Sequence, residues 1–291
     1  MTTAILFMVL TGVIWTAVGV LFGRAPTEKD RLCTFFALNG AIFVTFVYLA
    51  RPPTAAPAAE VLRLSALMVP SAFLEVMAFL LLKLAMDRGS QGIAWCIAQS
   101  AMVISFLGSI LFLGNPSSPL QWLGMALMLG SLALFGMAKQ ADGKAVNDAT
   151  FFRLVFGAFA MVGVGQFLRL IPGYAGFSPE TLTWRLPLQA PVGMVFWSVV
   201  CLSKGFWRPG AVWRHSVPYG IVVALGQVCF YLATDAADKL RITSVVMPVS
   251  IGTCILFFTL WCRFFRGERL SRVGWVAVAL NVAGIALLSS R

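Results

Sequence analysis

Residues 114–136, GNPSSPLQWLGMALMLGSLALFG, slide onto residues 267–289, GERLSRVGWVAVALNVAGIALLS, with a shift of 153. Gly114, Ser118, Trp122, Ala126, Leu127, Ala133 and Leu134 land on Gly267, Ser271, Trp275, Ala279, Leu280, Ala286 and Leu287. A second stretch repeats with a shift of 148. Val69-Pro70 falls on Val217-Pro218, and Leu84-Ala85-Met86-Asp87 falls on Leu232-Ala233-Thr234-Asp235. A turn of glycine and serine followed by an apolar run therefore closes each half of the chain.

Working outward, apolar stretches long enough to cross a bilayer, which needs about 20 residues, fall at 4–23, 32–50, 64–82, 93–113, 120–138, 151–171, 182–202, 216–234, 244–262 and 272–289. The expected fold is all-α: a polytopic membrane protein of ten transmembrane helices in two five-helix repeats. Residues 1–139 form the first repeat, 140–150 the linker and 151–291 the second, within one membrane domain. A unit with an odd number of spans inserts its second copy upside down, the arrangement by which many carriers build two alternating gates. The composition agrees. Charged residues make up 11% of the chain and hydrophobic ones 59%, with mean hydropathy +0.88, against about 25% charged in a soluble domain.

The net charge of +11 resides in short inter-helix loops, so it marks orientation and lipid headgroups rather than nucleic acid. Loops 1–2, 3–4, 5–6, 7–8 and 9–10 carry 15 of the Lys and Arg residues, and the opposite face carries 7. The first face is therefore expected in the cytoplasm and both termini outside. Loop 4–5 has no base while its counterpart, loop 9–10, has Arg263, Arg266, Arg269 and Arg272, as inversion requires. The six cysteines form no CxxC and read as small apolar packing residues. The start of the chain shows no secretory signal pattern.

The Gly-Glu-Arg-Leu-Ser turn at 267–271, followed by the small-residue span Gly274, Ala277, Ala279, Ala283 and Gly284, resembles the drug/metabolite transporter superfamily, EamA-type. The first-repeat turn departs from the pattern with Gly114-Asn115. Residues 91–115 and 247–268 are similar to its sugar-uptake, rhamnose-type branch. The resemblance implies a cavity lined by spans 1, 3, 4, 6, 8 and 9, with spans 5 and 10 peripheral and at the contact of a possible homodimer. It also implies a multi-pass protein of the cell's inner (plasma) membrane.

An ionisable group in hydrocarbon costs at least ~2.5 kcal/mol and needs a reason. Glu75 lies about 16 Å into its span at 1.5 Å per residue. There it is a candidate proton-coupling site or one half of a buried pair. Arg169, near the outer end of span 6, is open to three readings: a substrate anion, Glu75, or the headgroups. Trp15, Trp95, Gln99, Gln166, Gln227 and Tyr231 come from presumed cavity spans. Amides both donate and accept, which suits hydroxyl-rich or zwitterionic ligands, and a tryptophan stacks on the apolar face of a sugar. Interhelical contacts are the alternative for each. Asn39 and Asn281 are expected as helix contacts, Asp235 and Asp238 as a solvated helix end, and Lys83 and Asp87 as an end anchor.

No catalytic constellation, cofactor motif or metal-ligand spacing is present in the sequence, and the lone His215 has no second ligand nearby. The function expected is secondary active transport of a small polar metabolite, sugar-like in the first reading. An exporter of amino acids or amphipathic drugs is the second, and a membrane-embedded transferase is a remote third. Partners are the substrate, the bilayer and, through Glu75, a proton. An alkaline phosphatase fused to the C-terminus should be active and a fluorescent protein fused there dark; the reverse pattern would invert the topology.

Overall fold

The computed structural model describes residues 2–88, 91–140, 149–265 and 271–290. All regular structure among them is helical. The helices are α1 (Thr2–Phe22), α2 (Lys29–Ala50), α3 (Ala58–Met86), α4 (Gln91–Gln99), α5 (Met102–Leu113), α6 (Pro119–Gln140), α7 (Ala149–Leu170), the single turn α8 (Pro179–Leu182), α9 (Arg185–Lys204), α10 (Pro209–Asp238), α11 (Val246–Phe265) and α12 (Arg272–Ser289). The chain is an all-α, multi-pass membrane protein. Seven of its described segments are long and apolar enough to cross a bilayer, and Ile97–Leu113, Pro119–Leu134 and Thr243–Phe258 are shorter apolar helices. The polar linker and the Gly267–Leu270 turn fall largely on residues 141–148 and 266–270, outside the described residues.

The span expected at 93–113 is not one helix. The backbone tightens at Ser100 and Ala101, where Ser100, Ala101, Val103 and Ile104 each bond three residues back rather than four. Such a 3₁₀ turn inside a helix marks a potential hinge. The segment leading into α11 is also 3₁₀, at Thr243–Val245. Gly114, Ser118 and Ser271 set the ends of their helices. Gly114 closes α5 in the left-handed region at φ +65°, a conformation that costs glycine little. Ser118 and Gln121 form a reciprocal capping box at the start of α6, and Ser271 caps α12 by accepting from Gly274 N–H.

The packing pairs are α1 with α10 and α11, α3 with α7 and α9, α2 with α9 and α10, α7 with α4 and α5, and α6 with α12. Helices come close where side chains are small, the usual means of association in lipid. A Cβ on Gly40 would sit 2.7 Å from the Met194 backbone, which pins α2 to α9. Gly124 and Gly284 bring α6 and α12 together in the same way. The expected helix-contact role of Asn281 holds, since its amide donates to Ser131 Oγ at 3.3 Å across this pair.

Two apolar cores sit at opposite ends of the bundle. One gathers Ala4, Met8, Val47, Leu186, Ala233, Ala237 and Leu288 near the face that carries both chain ends, here the terminal face. The other gathers Phe22, Phe35, Phe36, Leu82, Met86, Phe151, Cys201 and Val212 near the opposite, basic face. Leu49, Leu62, Phe112, Phe264 and Phe265 point outward, exposed, as suits a lipid-facing surface.

Gly40→Val should force α2 from α9 and cost about 1–3 kcal/mol by overpacking, seen as a lowered Tm in detergent. Gly130→Ala, at a position with open space around it, should leave Tm unchanged.

Candidate functional site

Between the two cores lies a cavity of about 180 Å³, lined by residues from both halves of the chain. Its walls include the aromatic side chains of Trp15, Phe36, Phe79, Trp95, Trp197 and Tyr219. Glycines make room for the two tryptophans singled out in the sequence. Trp15 lies against Gly226, where a Cβ would stand 2.7 Å from its ring, and Trp95 lies against Gly19. Trp15 also stacks on Phe230 at 5.8 Å, and Trp197 on Phe36 at 4.9 Å.

The polar lining comprises Glu75, Gln99, Gln166, Arg169, Gln189, Gln227 and Asn39. Of the candidates read from sequence, Trp15, Trp95, Gln99, Gln166, Arg169, Gln227 and Glu75 are therefore brought together. Tyr231 is not in the lining. It is fully buried behind the wall and donates to Gln189 Oε1 at 2.6 Å. Asn39 keeps the expected helix contact, its Oδ1 lying against Gly220 of α10, and also lines the cavity. The amide oxygens of Asn39, Gln166 and Gln227 and the indole nitrogen of Trp95 are buried without a hydrogen-bond partner among the described residues. An unsatisfied buried polar group costs about 1–3 kcal/mol, so each of these side chains gains if it turns toward a polar partner.

Arg169 does not reach for headgroups. Its side chain is 3% exposed and pairs with Glu75, whose own side chain is 32% exposed. Arg169 Nε also donates to Ser71 Oγ at 3.1 Å. A guanidinium removed from water costs several kcal/mol unless an opposite charge and hydrogen bonds compensate, and Glu75 with Ser71 supplies both. Glu75 is thus not an isolated carboxyl. It presents its free surface to the cavity.

From this pair a polar chain runs to the terminal face. Ser71 Oγ accepts from Gln189 Nε2 at 3.3 Å, and Gln189 accepts from Tyr231. The Tyr231 ring lies under the Arg51 guanidinium at 5.9 Å, and Arg51 pairs with Asp235. Arg185 then pairs with Asp235 at 3.1 Å and Asp238 at 3.0 Å. Asp235 and Asp238 are therefore not a solvated helix end; they neutralise an Arg185 side chain that is 1% exposed. Lys83 is likewise no snorkelling anchor, being buried and paired with Asp87 at 2.8 Å.

Sequence reading missed Gln189, Arg185 and Trp197. A period-four pattern of Arg185 and Gln189 within an apolar span was the available signal, since residues four apart share a helix face. His215 is exposed, and no group of three potential metal ligands occurs among the described residues. Cys33, Cys201 and Cys229 are free thiols.

No family model matches the chain, and no curated protein matches it. Among solved structures, 28 chains match. One, described only as "Crystal structure of protein", superposes with TM-score 0.67 at 16% identity, over 98% of this chain and 97% of its own. That likeness extends to the fold alone.

Glu75→Gln should destabilise the protein by roughly 2–3 kcal/mol. This is below the ~3–5 kcal/mol of a fully buried pair broken from one side, because the carboxylate is partly exposed. Glu75→Gln with Arg169→Gln should recover most of the loss; thermal unfolding in detergent measures both.

Proposed function

We propose that this chain is a secondary active carrier of a small polar metabolite, built as two inverted five-helix repeats of the drug/metabolite transporter type and working by alternating access. The observation that carries the reading is the cavity between two apolar cores, reached by both halves of the chain and lined by orphaned polar groups. The packing pattern supports the inversion. Exchanging α1 with α7, α2 with α9, α3 with α10, α4–α5 with α11 and α6 with α12 turns each of these contacts into another: α1·α10 becomes α7·α3, α2·α10 becomes α9·α3, and α6·α12 returns to itself.

A sugar-like substrate fits the lining best. The Glu75–Arg169 pair leaves the wall without net charge, the amides offer acceptors and donors, and Trp15, Trp95 and Trp197 offer flat apolar faces. The aromatic side chains in the wall are what the second reading, an amphipathic drug or amino acid moved outward, would use. Neither reading calls for enzymatic chemistry or a cofactor. The outward faces of α6 and α12 expose Trp122, Leu123, Trp275 and Val276, a surface suited to a homodimer contact or to lipid.

A ligand that binds only the folded state raises Tm by mass action. A thermal-shift screen over sugars, polyols, amino acids and aromatic amines should therefore give hits among the sugars or polyols, confirmed by counterflow in proteoliposomes. Hits confined to aromatic amines would establish the second reading, and no hit with no counterflow would remove the carrier reading.

Gln166→Ala and Gln227→Ala should each weaken binding about 5- to 15-fold, the equivalent of about 1–1.5 kcal/mol per hydrogen bond. If a proton enters at Glu75, Glu75→Gln should keep counterflow and lose pH-driven accumulation. Gradient-driven uptake at the wild-type level would dismiss that coupling.

A further inference from the structure

The terminal face is closed by side chains that bridge helices whose backbones stand apart. α9 packs along α2 and α3, and α10 along α1 and α2, whereas α9 and α10 come close at few positions. Arg185 spans the remaining gap to Asp235 and Asp238, with Gln189–Tyr231 one turn inward. Long side chains across a gap can part without dismantling a packed helix pair, which is what a gate requires.

The repeat carries this arrangement to the other face. The shift of 148 that aligns α10 with α3 maps Asp235 onto Asp87. For α9 and α2 the shift is 154, the separation of their last residues Lys204 and Ala50 and of the contacting pair Met194 and Gly40. That shift maps Arg185 onto Arg31. Arg31 and Asp87 thus occupy, at the basic face, the places that Arg185 and Asp235 occupy at the terminal face. In this conformation they are not joined. Arg31 turns to Glu28 within its own first turn, at 3.3 Å, and Asp87 to Lys83 at 2.8 Å. α2 and α3, the counterparts of α9 and α10, show no substantial packing against each other.

We propose that Arg31 and Asp87 form the second gate pair, made across α2 and α3 when the basic face closes and the Arg185 bridge opens. The proposal rests on the inverted-repeat carrier reading and adds to it the residues that exchange partners. In the conformation described here, the Arg185 bridge is made and Arg31 and Asp87 keep their local partners, with the basic face held by its apolar core. Arg31 and Asp87 exchange local partners for each other, so no charge is left unpaired except Glu28 and Lys83. Glu28 is half exposed; Lys83, buried beside Asp87 here, must gain water or another acceptor as the basic face rearranges.

The test uses the full chain with its six cysteines replaced by alanine, reconstituted in proteoliposomes. Arg31→Cys with Asp87→Cys reports closure of the basic face through bridging by a short bifunctional methanethiosulfonate; Arg185→Cys with Asp235→Cys reports the terminal face. Both pairs should bridge. Adding Arg185→Gln with Asp238→Asn to the 31/87 reporter removes the terminal bridge while Asp235 keeps Arg51. It should raise the bridging rate at 31/87 about tenfold, as expected when one of two competing states loses roughly 1.4 kcal/mol. Arg185→Lys, which keeps the charge, should leave that rate near its starting value.

An unchanged rate in the neutralised variant overturns the proposal, as does failure of the 31/87 pair to bridge. An equal rise with Arg185→Lys, the sign of general loosening, overturns it as well. Because bridging needs no substrate, a protein that carries nothing in the ligand screen can still pass this test. One that carries well can fail it, so the two readings fall separately.

Discussion

Two guanidinium groups, those of Arg169 and Arg185, are enclosed in an apolar bundle, and the polar architecture follows from keeping them charged there. Neither reaches water, so each must find carboxylates and hydroxyls inside the fold. Arg169 takes Glu75 and Ser71; Arg185 takes Asp235 and Asp238. Because these partners come from α3 and α10, the ionic contacts tie α7 to α3 and α9 to α10, and Gln189 with Tyr231 joins the two systems. Charge that would be expensive anywhere in hydrocarbon thereby becomes the connection between the cavity and the terminal face.

The opposite face is held by other means. Phe22, Phe35, Phe36, Trp197 and Tyr219 form overlapping ring pairs there, and among the described residues the ion pairs Arg31–Glu28 and Lys83–Asp87 are local to one helix. Apolar burial is non-directional and tolerates sliding, while charge-assisted hydrogen bonds fix distance and orientation. A bundle with one face pinned by ion pairs and the other by rings has an uneven resistance to opening. The cavity lies where the two regimes meet.

Much of the helical content was legible because lipid leaves few solutions for the backbone: every N–H and C=O must be satisfied within the segment, so apolar runs of sufficient length become helices. The break at Ser100–Ala101 was not legible. Ile97–Leu113 is apolar on average, and hydropathy carries no mark of a three-residue rather than four-residue hydrogen bond. The cavity residues were legible in part. Buried polar side chains stand out against apolar neighbours, which is how Glu75, Gln99, Gln166 and Gln227 were found. Arg185 was hidden, for at the edge of a span a buried arginine and a headgroup anchor look alike.

The sequence by itself determined the solvent, the helical class and the short set of polar residues that needed partners. It did so because composition, period and spacing are local properties that the bilayer constrains strongly. Only the tertiary structure decided the pairings. Whether Asp235 faced water or Arg185, whether Asn39 touched a helix alone or the cavity as well, and whether Tyr231 stood in the lining or behind it depended on how helices far apart in sequence rotate and cross. Those rotations are set by close packing at small residues such as Gly40, Gly226 and Gly284, where a few ångströms of backbone approach choose which side chains meet.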